Sequence, residues 1–282
     1  MRNVSIGMLL SNAKMSSINS KRISAFRRAV WKYWRENGRH GLAWRKTKNP
    51  YRILVSEVML QQTQVPRVEV KYREFLKAFP SVRALAKASL ADVLRIWSGM
   101  GYNRRAKYLR DAARIIVEKH GGNVPRDVAA LHALPGIGEY TASAVRVFAF
   151  NEPDVLIETN IRAACIHHFF PNTPKVRDSV LLVCAKRAAE GQDPREWHAA
   201  LMDYGAYLKR SGIRNNHKSA HYTRQSKFEG SLRQIRGAIL RELANERSRR
   251  SLIGDRKRIQ KALEGLARDG LIVKKGGAWR IG

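Results

Sequence analysis

The stretch of the chain that decides its fold reads LHALPGIGEYTASA, from Leu131 to Ala144. Apolar residues recur at helical spacing on both sides of a Pro-Gly-x-Gly core, which predicts two helices joined by a tight turn. Gly136 and Gly138 allow the backbone to pass close to a ligand. The N–H groups of the turn and of the second helix then point toward one spot, where a phosphate oxygen fits. For a bare G-x-G, an ordinary helical hairpin is the alternative.

The composition implies a polyanionic partner. The 282 residues include 54 Lys and Arg against 23 Asp and Glu, a net charge of +31. Nucleic acid is therefore the first candidate. A basic protein of the membrane surface would need a long amphipathic or spanning helix, and the sequence indicates neither. We expect a monomer without a membrane partner, in the cytoplasm near the nucleoid.

The chain divides into four segments. Residues 1–20 are predicted to be a disordered leader. Residues 21–209 are predicted to be helical, with loops at prolines and no convincing strand. Residues 210–227 are polar and basic and are predicted to form a linker. Residues 228–282 are predicted to form a small winged-helix-like domain, so the fold class is all-α with a short C-terminal hairpin.

The C-terminal hairpin is predicted from two short β runs around Lys274-Lys275-Gly276-Gly277. We expect Lys274 and Lys275 to contact DNA phosphates, and Trp279 to form a core beneath the wing. The domain would then bind DNA without recognising a lesion. A small helical cap with a structural hairpin is the alternative.

No metal site is predicted. Cys165 and Cys184 lie in apolar runs without metal-ligand spacing, and we expect buried free thiols in a reducing compartment. His217 and His221 are four residues apart, but no further soft ligand is near them, so they are assigned to the basic linker.

Several motifs resemble one family. The Leu-Pro-Gly-Ile-Gly-x-Tyr-Thr-Ala string resembles the helix-hairpin-helix of base-excision DNA glycosylases. Around it, about residues 23–207 resemble MutY-type adenine glycosylases. The matching motifs are LAWR (42–45), PY (50–51), SEVMLQQTQV (56–65) and WSGMGY (97–102). The resemblance implies a helix-hairpin-helix glycosylase fold of two helical subdomains that flank a cleft for double-stranded DNA with a mismatch or lesion.

The resemblance also assigns one proton donor and two wedge residues, whose side chains insert into the DNA. Glu57 matches the glutamate that protonates adenine at N7. It shares a helical face with apolar neighbours, and burial there would raise its pKa. The alternative is a glutamate that reaches solvent or pairs with an arginine. Gln62 matches a glutamine inserted beside the orphaned base, and Tyr102 matches an intercalating tyrosine, although the family's second aromatic is Asn103 here.

A second carboxylate is expected at Glu158, before Thr159 and Asn160, where the family has Val-Asp-Gly-Asn-Val. It would stabilise the oxocarbenium ion with Asn160 beside it, and a capping glutamate is the alternative. Tyr140 stands where bifunctional relatives have a lysine, and it would line the pocket or be a core tyrosine. No lysine occurs between Arg126 and Pro174, so the chemistry should stop at base removal.

The remaining site residues follow from the same motifs. The resemblance places Trp44 and Arg45 in the base pocket. It places the other DNA contacts at Gln61, Gly136, Gly138 and Thr141.

The function implied is removal of adenine opposite 8-oxoguanine or guanine. The alternatives are removal of thymine, uracil or hypoxanthine, a non-catalytic DNA-binding protein, or a transcription factor that uses the winged helix. The family's four cluster cysteines have no counterparts after Cys184, so no iron–sulfur cluster or other cofactor is expected.

Overall fold

The structure is a computed structural model that describes residues 19–222, 227–245 and 255–282. In these residues it contains thirteen α-helices, one 3₁₀ helix and one two-stranded hairpin, which confirms the all-α prediction. Most of the predicted leader, residues 1–18, lies outside the described residues. None of the described helices is long and apolar enough to cross a membrane.

The helices are α1 (Ser20–Asn37), α2 (Pro50–Leu60), α3 (Val65–Ala78), α4 (Val82–Lys87), α5 (Leu90–Trp97), α6 (Arg104–Lys119), α7 (Val128–His132), α8 (Glu139–Phe150), α9 (Thr159–Phe169), α10 (Asp178–Ala189), α11 (Pro194–Arg210), α12 (Leu232–Ala244) and α13 (Arg256–Arg268). The strands are β1 (Ile272–Lys275) and β2 (Ala278–Ile281).

The chain forms two compact units. The first comprises Met1–Lys46 and Arg146–Arg224, and the second comprises Thr47–Val145 and Gln225–Gly282. The C-terminal segment, predicted as a domain of its own, therefore packs in the same unit as the central helices.

The first unit has an aromatic core. The Phe26 ring of α1 meets the rings of Phe169 and Trp197 edge to face, with centroids 5.2 and 6.0 Å apart. All three side chains are buried. Edge-to-face contact suits the quadrupoles of aromatic rings and adds specificity to the burial of apolar area.

A buried ion cluster fixes the loop after α1 in the first unit. The Asp203 carboxylate on α11 is 1% exposed and accepts hydrogen bonds from Arg45 Nη1 (2.7 Å) and Nη2 (2.8 Å). It also accepts from Arg39 Nε (2.8 Å) and the Arg39 backbone N–H (2.7 Å). Burial alone would raise the pKa of Asp203, but the bonds and charges of Arg45 and Arg39 outweigh it and hold the pKa below its usual value.

Part of the predicted linker, residues 210–227, is ordered by backbone hydrogen bonds. A 3₁₀ helix spans Asn215–Lys218, and Val176 pairs with residues 218–220 through N–H···O bonds of 2.7 and 2.9 Å. Asn215 and Ser219 are buried. Backbone hydrogen bonds to Val176 therefore order a segment whose polar composition indicated a free connection, while residues 223–226 lie outside the described part.

The C-terminal segment has the predicted order of elements, two helices followed by an antiparallel hairpin. Lys275 pairs with Ala278 across a two-residue turn. Gly276 and Gly277 adopt φ of +55° and +76° there, as a type I′ turn requires. Trp279, expected in the core, is only half-buried, because it lies with Ile281 on a face of β2 that is itself half-buried.

We expect Asp203→Asn to lower the free energy of unfolding by about 3 kcal/mol, since it leaves two guanidinium groups without their anion. Asp92→Asn, which breaks an exposed pair with Arg95, should cost less than about 1 kcal/mol. Urea unfolding at pH 7 measures both.

The Asp203 effect should also depend on pH. Because the folded-state pKa is lowered, the stabilisation is present above about pH 4 and is lost as the pH falls through the lowered pKa. Equal effects of the two substitutions at pH 7 would contradict this account of the cluster.

Candidate active site

The glycine hairpin has the predicted geometry. Helix α7 ends at His132 and α8 begins at Glu139. Gly136 adopts φ +74°, and a Cβ added there would lie 2.8 Å from the Cβ of Tyr108. Only glycine fits a position with both constraints. The N–H groups in the first turn of α8 have no partner within their helix, so with Gly138 exposed the turn can receive an anion.

The hairpin is bonded to the end of α2. The Gln61 side-chain amide donates to the Thr141 hydroxyl at 3.1 Å, and Thr141 is buried. This internal contact couples the hairpin to the segment that carries Glu57 and Gln62. Contact of Gln61 and Thr141 with DNA remains a prediction.

Glu57 is buried in α2. Its side chain is 7% exposed, and Ile53 and Leu54, one turn before it, are 1% exposed. The solvent-reaching alternative therefore does not hold. The carboxyl group of Glu57 is therefore largely shielded from solvent.

Both predicted wedge residues have left-handed backbones. Gln62 has φ +53° and Tyr102 has φ +47°, a conformation that is uncommon outside glycine. Both side chains are exposed. We call their loops, residues 61–64 and 98–103, the wedge loops. Such strain persists only where the surrounding structure enforces it.

The side chain of Arg105, in α6, holds both wedge loops in this conformation. Its guanidinium is buried and donates to both wedge loops and to the last turn of α2. The acceptors are the carbonyl oxygens of Val58 (2.9 Å), Met59 (3.0 Å), Gln61, Met100 (3.2 Å) and Gly101 (3.1 Å), and the hydroxyl of Thr63 (3.0 Å). Its Cζ lies 5.5 Å from the centre of the Tyr102 ring. One cation thus joins the two wedge loops.

Burial lowers the pKa of Arg105 to about 10, so the group stays charged at neutral pH. No sequence motif pointed to Arg105. The available signal was its spacing, because Arg105 lies at i−4 and i−11 from Leu109 and Ile116 on the buried face of α6.

In the first unit, Glu158 caps α9. One carboxylate oxygen accepts from the backbone N–H groups of Asn160 (2.8 Å) and Ile161 (2.9 Å), and the other accepts from the Asn160 amide (3.2 Å). The capping alternative is therefore realised. It is compatible with catalysis, because the cap fixes the carboxylate and its neighbour Asn160 in one orientation.

The Glu158 carboxyl has a raised pKa. Burial raises it, and this effect outweighs the hydrogen bonds from Asn160 and Ile161, which favour the ionised form. The group therefore takes up a proton at a higher pH than an exposed glutamate does.

The other predicted residues lie as follows. Trp44 is buried. Arg45 is bonded to Asp203 as described, which indicates a structural role, and its place in a base pocket remains a prediction. Tyr140, in the first turn of α8, is half-buried. Lys274 and Lys275 are exposed beside the wing turn.

The two cysteines, Cys165 and Cys184, are both free and buried in the first unit. Burial raises the pKa of both thiols, that of Cys184 to about 12. Within the described residues, no group of three or more His, Cys, Asp or Glu side chains is arranged to hold a metal ion.

We expect Arg105→Lys to loosen both wedge loops, because an ammonium group has three donors and cannot span the acceptors. Each charge-assisted bond contributes about 1.5–3 kcal/mol. Amide hydrogen exchange at Thr63 and Met100 should therefore accelerate at least ~10-fold. Arg110→Lys, at a buried arginine of the same helix that pairs with Asp111, should leave these amides unchanged, and equal acceleration would refute the role.

Three comparisons agree on a family. Residues 55–186 match the HhH-GPD superfamily of base excision DNA repair proteins. An adenine DNA glycosylase of Mycolicibacterium smegmatis is 34% identical over 264 residues, which is 85% of this chain and 90% of that protein. One from Mycobacterium tuberculosis is 38% identical over 181 residues, which is 61% of this chain and 58% of that protein.

A solved structure gives the same result. A thermostable thymine-DNA glycosylase superposes with a TM-score of 0.58 at 26% identity, over 66% of this chain and 87% of that one. The chain also has the features described above, namely the glycine hairpin, the buried Glu57 and the capped Glu158. The chain belongs to the HhH-GPD superfamily of base excision DNA repair proteins, as a glycosylase of the MutY type.

Proposed function

We propose that the protein is a monofunctional DNA glycosylase that removes adenine mispaired with 8-oxoguanine or guanine. The observation that carries this proposal is the buried Glu57, on a helix whose end is bonded to the glycine hairpin through Gln61 and Thr141. A DNA phosphate held at the hairpin would place the strand in register with this acid. Relatives named adenine DNA glycosylase, at 34–38% identity, support adenine as the base.

The proposed reaction breaks the bond between C1′ and the base. Glu57 donates a proton to N7 of adenine, and the base leaves with the bonding electron pair. C1′ becomes oxocarbenium-like, and the Glu158 carboxylate stabilises the positive charge. Water then adds its oxygen to C1′ and releases a proton, which leaves an abasic site.

The reaction should stop there. A covalent lyase step needs an amine that attacks C1′, and Tyr140 stands at the position where bifunctional relatives have a lysine. The DNA backbone should remain unbroken until it is treated with alkali.

The target base must leave the helix before it reaches the acid. We assign Gln62 and Tyr102 to the gap that it leaves, because both are exposed on loops that the Arg105 bonds hold in place. The net charge of +31 draws the protein to DNA, and affinity should fall with salt at about 0.9 log unit per phosphate contacted.

We further propose that the enzyme acts as a monomer without an iron–sulfur cluster, in the cytoplasm near the nucleoid. The whole sequence contains two cysteines, whereas such a cluster is held by four cysteine thiolates.

Thymine is the second candidate base, because the structural relative at 26% identity is a thymine-DNA glycosylase. The two candidates separate in one assay, in which duplexes carry adenine or thymine opposite guanine and 8-oxoguanine.

We expect Glu57→Gln to slow single-turnover excision of adenine at least ~10²-fold, since the amide is not acidic enough to transfer a proton to the base. DNA affinity should stay within about twofold. Glu69→Gln, the same change on the neighbouring helix α3, should be neutral in both measurements. Unchanged excision by Glu57→Gln would remove Glu57 from the mechanism.

The excision rate should fall as the pH is lowered through the raised pKa of Glu158, because protonation removes the anion that stabilises the transition state. The midpoint of this acid limb should lie above the ordinary value of about 4.3. Glu158→Gln should be slow at every pH and lack the limb, whereas Glu158→Asp should retain it. Rates between pH 4.5 and 8 test this, and an acid limb that persists in Glu158→Gln would contradict the assignment.

A further inference from the structure

A large cavity in the second unit joins the wedge loops to the C-terminal segment. Its volume is about 1160 Å³. Its lining includes Gln61, Gln62, Tyr102 and Gly136, together with residues of α12 and α13. The residues assigned to the gap in the DNA thus share a cavity with the part of the chain to which the family resemblance gave no role.

Helix α13 presents a polar face to the cavity. Lys257, Gln260, Lys261, Glu264 and Arg268 follow one another at helical spacing and all line it. Ala262 and Leu266, which are buried together with Leu263, also line the cavity. The cations of α13 therefore share the cavity with the wedge residues Gln62 and Tyr102.

Arg233 of α12 reaches the wedge residue itself. Its Nη1 donates to the Tyr102 hydroxyl at 3.0 Å, and its Cζ lies 6.0 Å from the centre of the Tyr102 ring. Close by, Arg236 and Arg104 both pair with Asp269, the latter at 3.5 Å. The Nη2 and Nε atoms of Arg95 in α5 also donate to the carbonyl oxygen of Ala244, the last residue of α12, at 3.1 and 3.3 Å. These bonds hold α12 and α13 against the wedge-bearing helices.

The cavity suits a short piece of nucleic acid. Eight cationic and two acidic side chains line it, so its occupant should be anionic. Its volume is slightly above the roughly 300–1,000 Å³ of clefts that enclose small ligands. A duplex, whose major groove alone is about 12 Å wide, is too large, whereas one or a few unpaired nucleotides fit.

We propose that this cavity receives the nucleotide left unpaired on the opposite strand when the target base is extruded, and that Arg233 contacts its base. The inference rests on the proposed function, because an unpaired partner arises only if a base is flipped out. A guanidinium can donate to two acceptors of guanine, O6 and N7, whereas the same edge of thymine offers one acceptor, O4. Arg233 should therefore favour guanine over thymine. The C-terminal segment would then read the opposite base, beyond the phosphate contacts that its sequence predicts.

Binding to DNA without an excisable base tests this inference separately from catalysis. Fluorescence anisotropy compares three duplexes of one sequence, with tetrahydrofuran abasic nucleotide opposite guanine, tetrahydrofuran opposite thymine, and a fully paired C·G. The proteins are the wild type, Arg233→Ala and Arg241→Ala. Arg241 is an exposed arginine of the same helix that does not line the cavity, so it is the matched control.

We expect the wild type to bind unpaired guanine at least ~10-fold more tightly than unpaired thymine or the paired duplex. One arginine–base contact contributes about 1–3 kcal/mol of discrimination, so Arg233→Ala should lose roughly 5- to 100-fold of that preference and keep its affinity for paired DNA. Arg241→Ala should keep the preference.

Two outcomes would overturn the inference. One is a wild type without the preference for unpaired guanine, and the other is an Arg233→Ala variant that loses affinity equally for all three duplexes. Failure of the proposed function is measured separately, because the wild type would then fail to excise adenine from a duplex with adenine opposite 8-oxoguanine.

Discussion

The hydrogen bonds of Arg105 are the interaction on which the candidate site depends. Each left-handed residue outside glycine costs about 1–2 kcal/mol, and Gln62 and Tyr102 both adopt this conformation. Each charge-assisted bond of Arg105 contributes about 1.5–3 kcal/mol, and several act on the two wedge loops. The bonds therefore outweigh the strain, and two exposed side chains of different loops are fixed before DNA arrives.

The two carboxylates belong to different units and are prepared in different ways. Glu57 is shielded from solvent by its burial on an apolar helix face. Glu158 gains its orientation from capping α9, with Asn160 bonded to the same group. Removing a base needs one group that gives a proton and one that stays negative. The local structures supply these two environments, and a raised pKa at Glu158 limits the range of pH in which it stays negative.

Structural features that depend on short-range interactions could be predicted from short sequence patterns. The glycine hairpin, helix α2 and the β1–β2 turn follow from short-range chemistry, because left-handed turns need glycine and apolar periodicity sets a helix face. Contacts between residues far apart in the sequence could not be predicted from such patterns. The bond from Gln61 to Thr141, the bonds of Arg105 to Met59 and Thr63 and the contact of Arg233 with Tyr102 join segments that are 42 to 131 residues apart. The order of residues 218–220 has the same origin, since the distant Val176 supplies their backbone partners.

The most direct test of the account is the product of the wild-type enzyme on a duplex with adenine opposite 8-oxoguanine. Mass spectrometry of a single-turnover reaction distinguishes the possible results. The account predicts free adenine and a full-length strand that carries one abasic site and breaks only on treatment with alkali. An unaltered strand after prolonged incubation, with the protein bound to it, would contradict the account and leave a protein that binds DNA without cleaving the glycosidic bond.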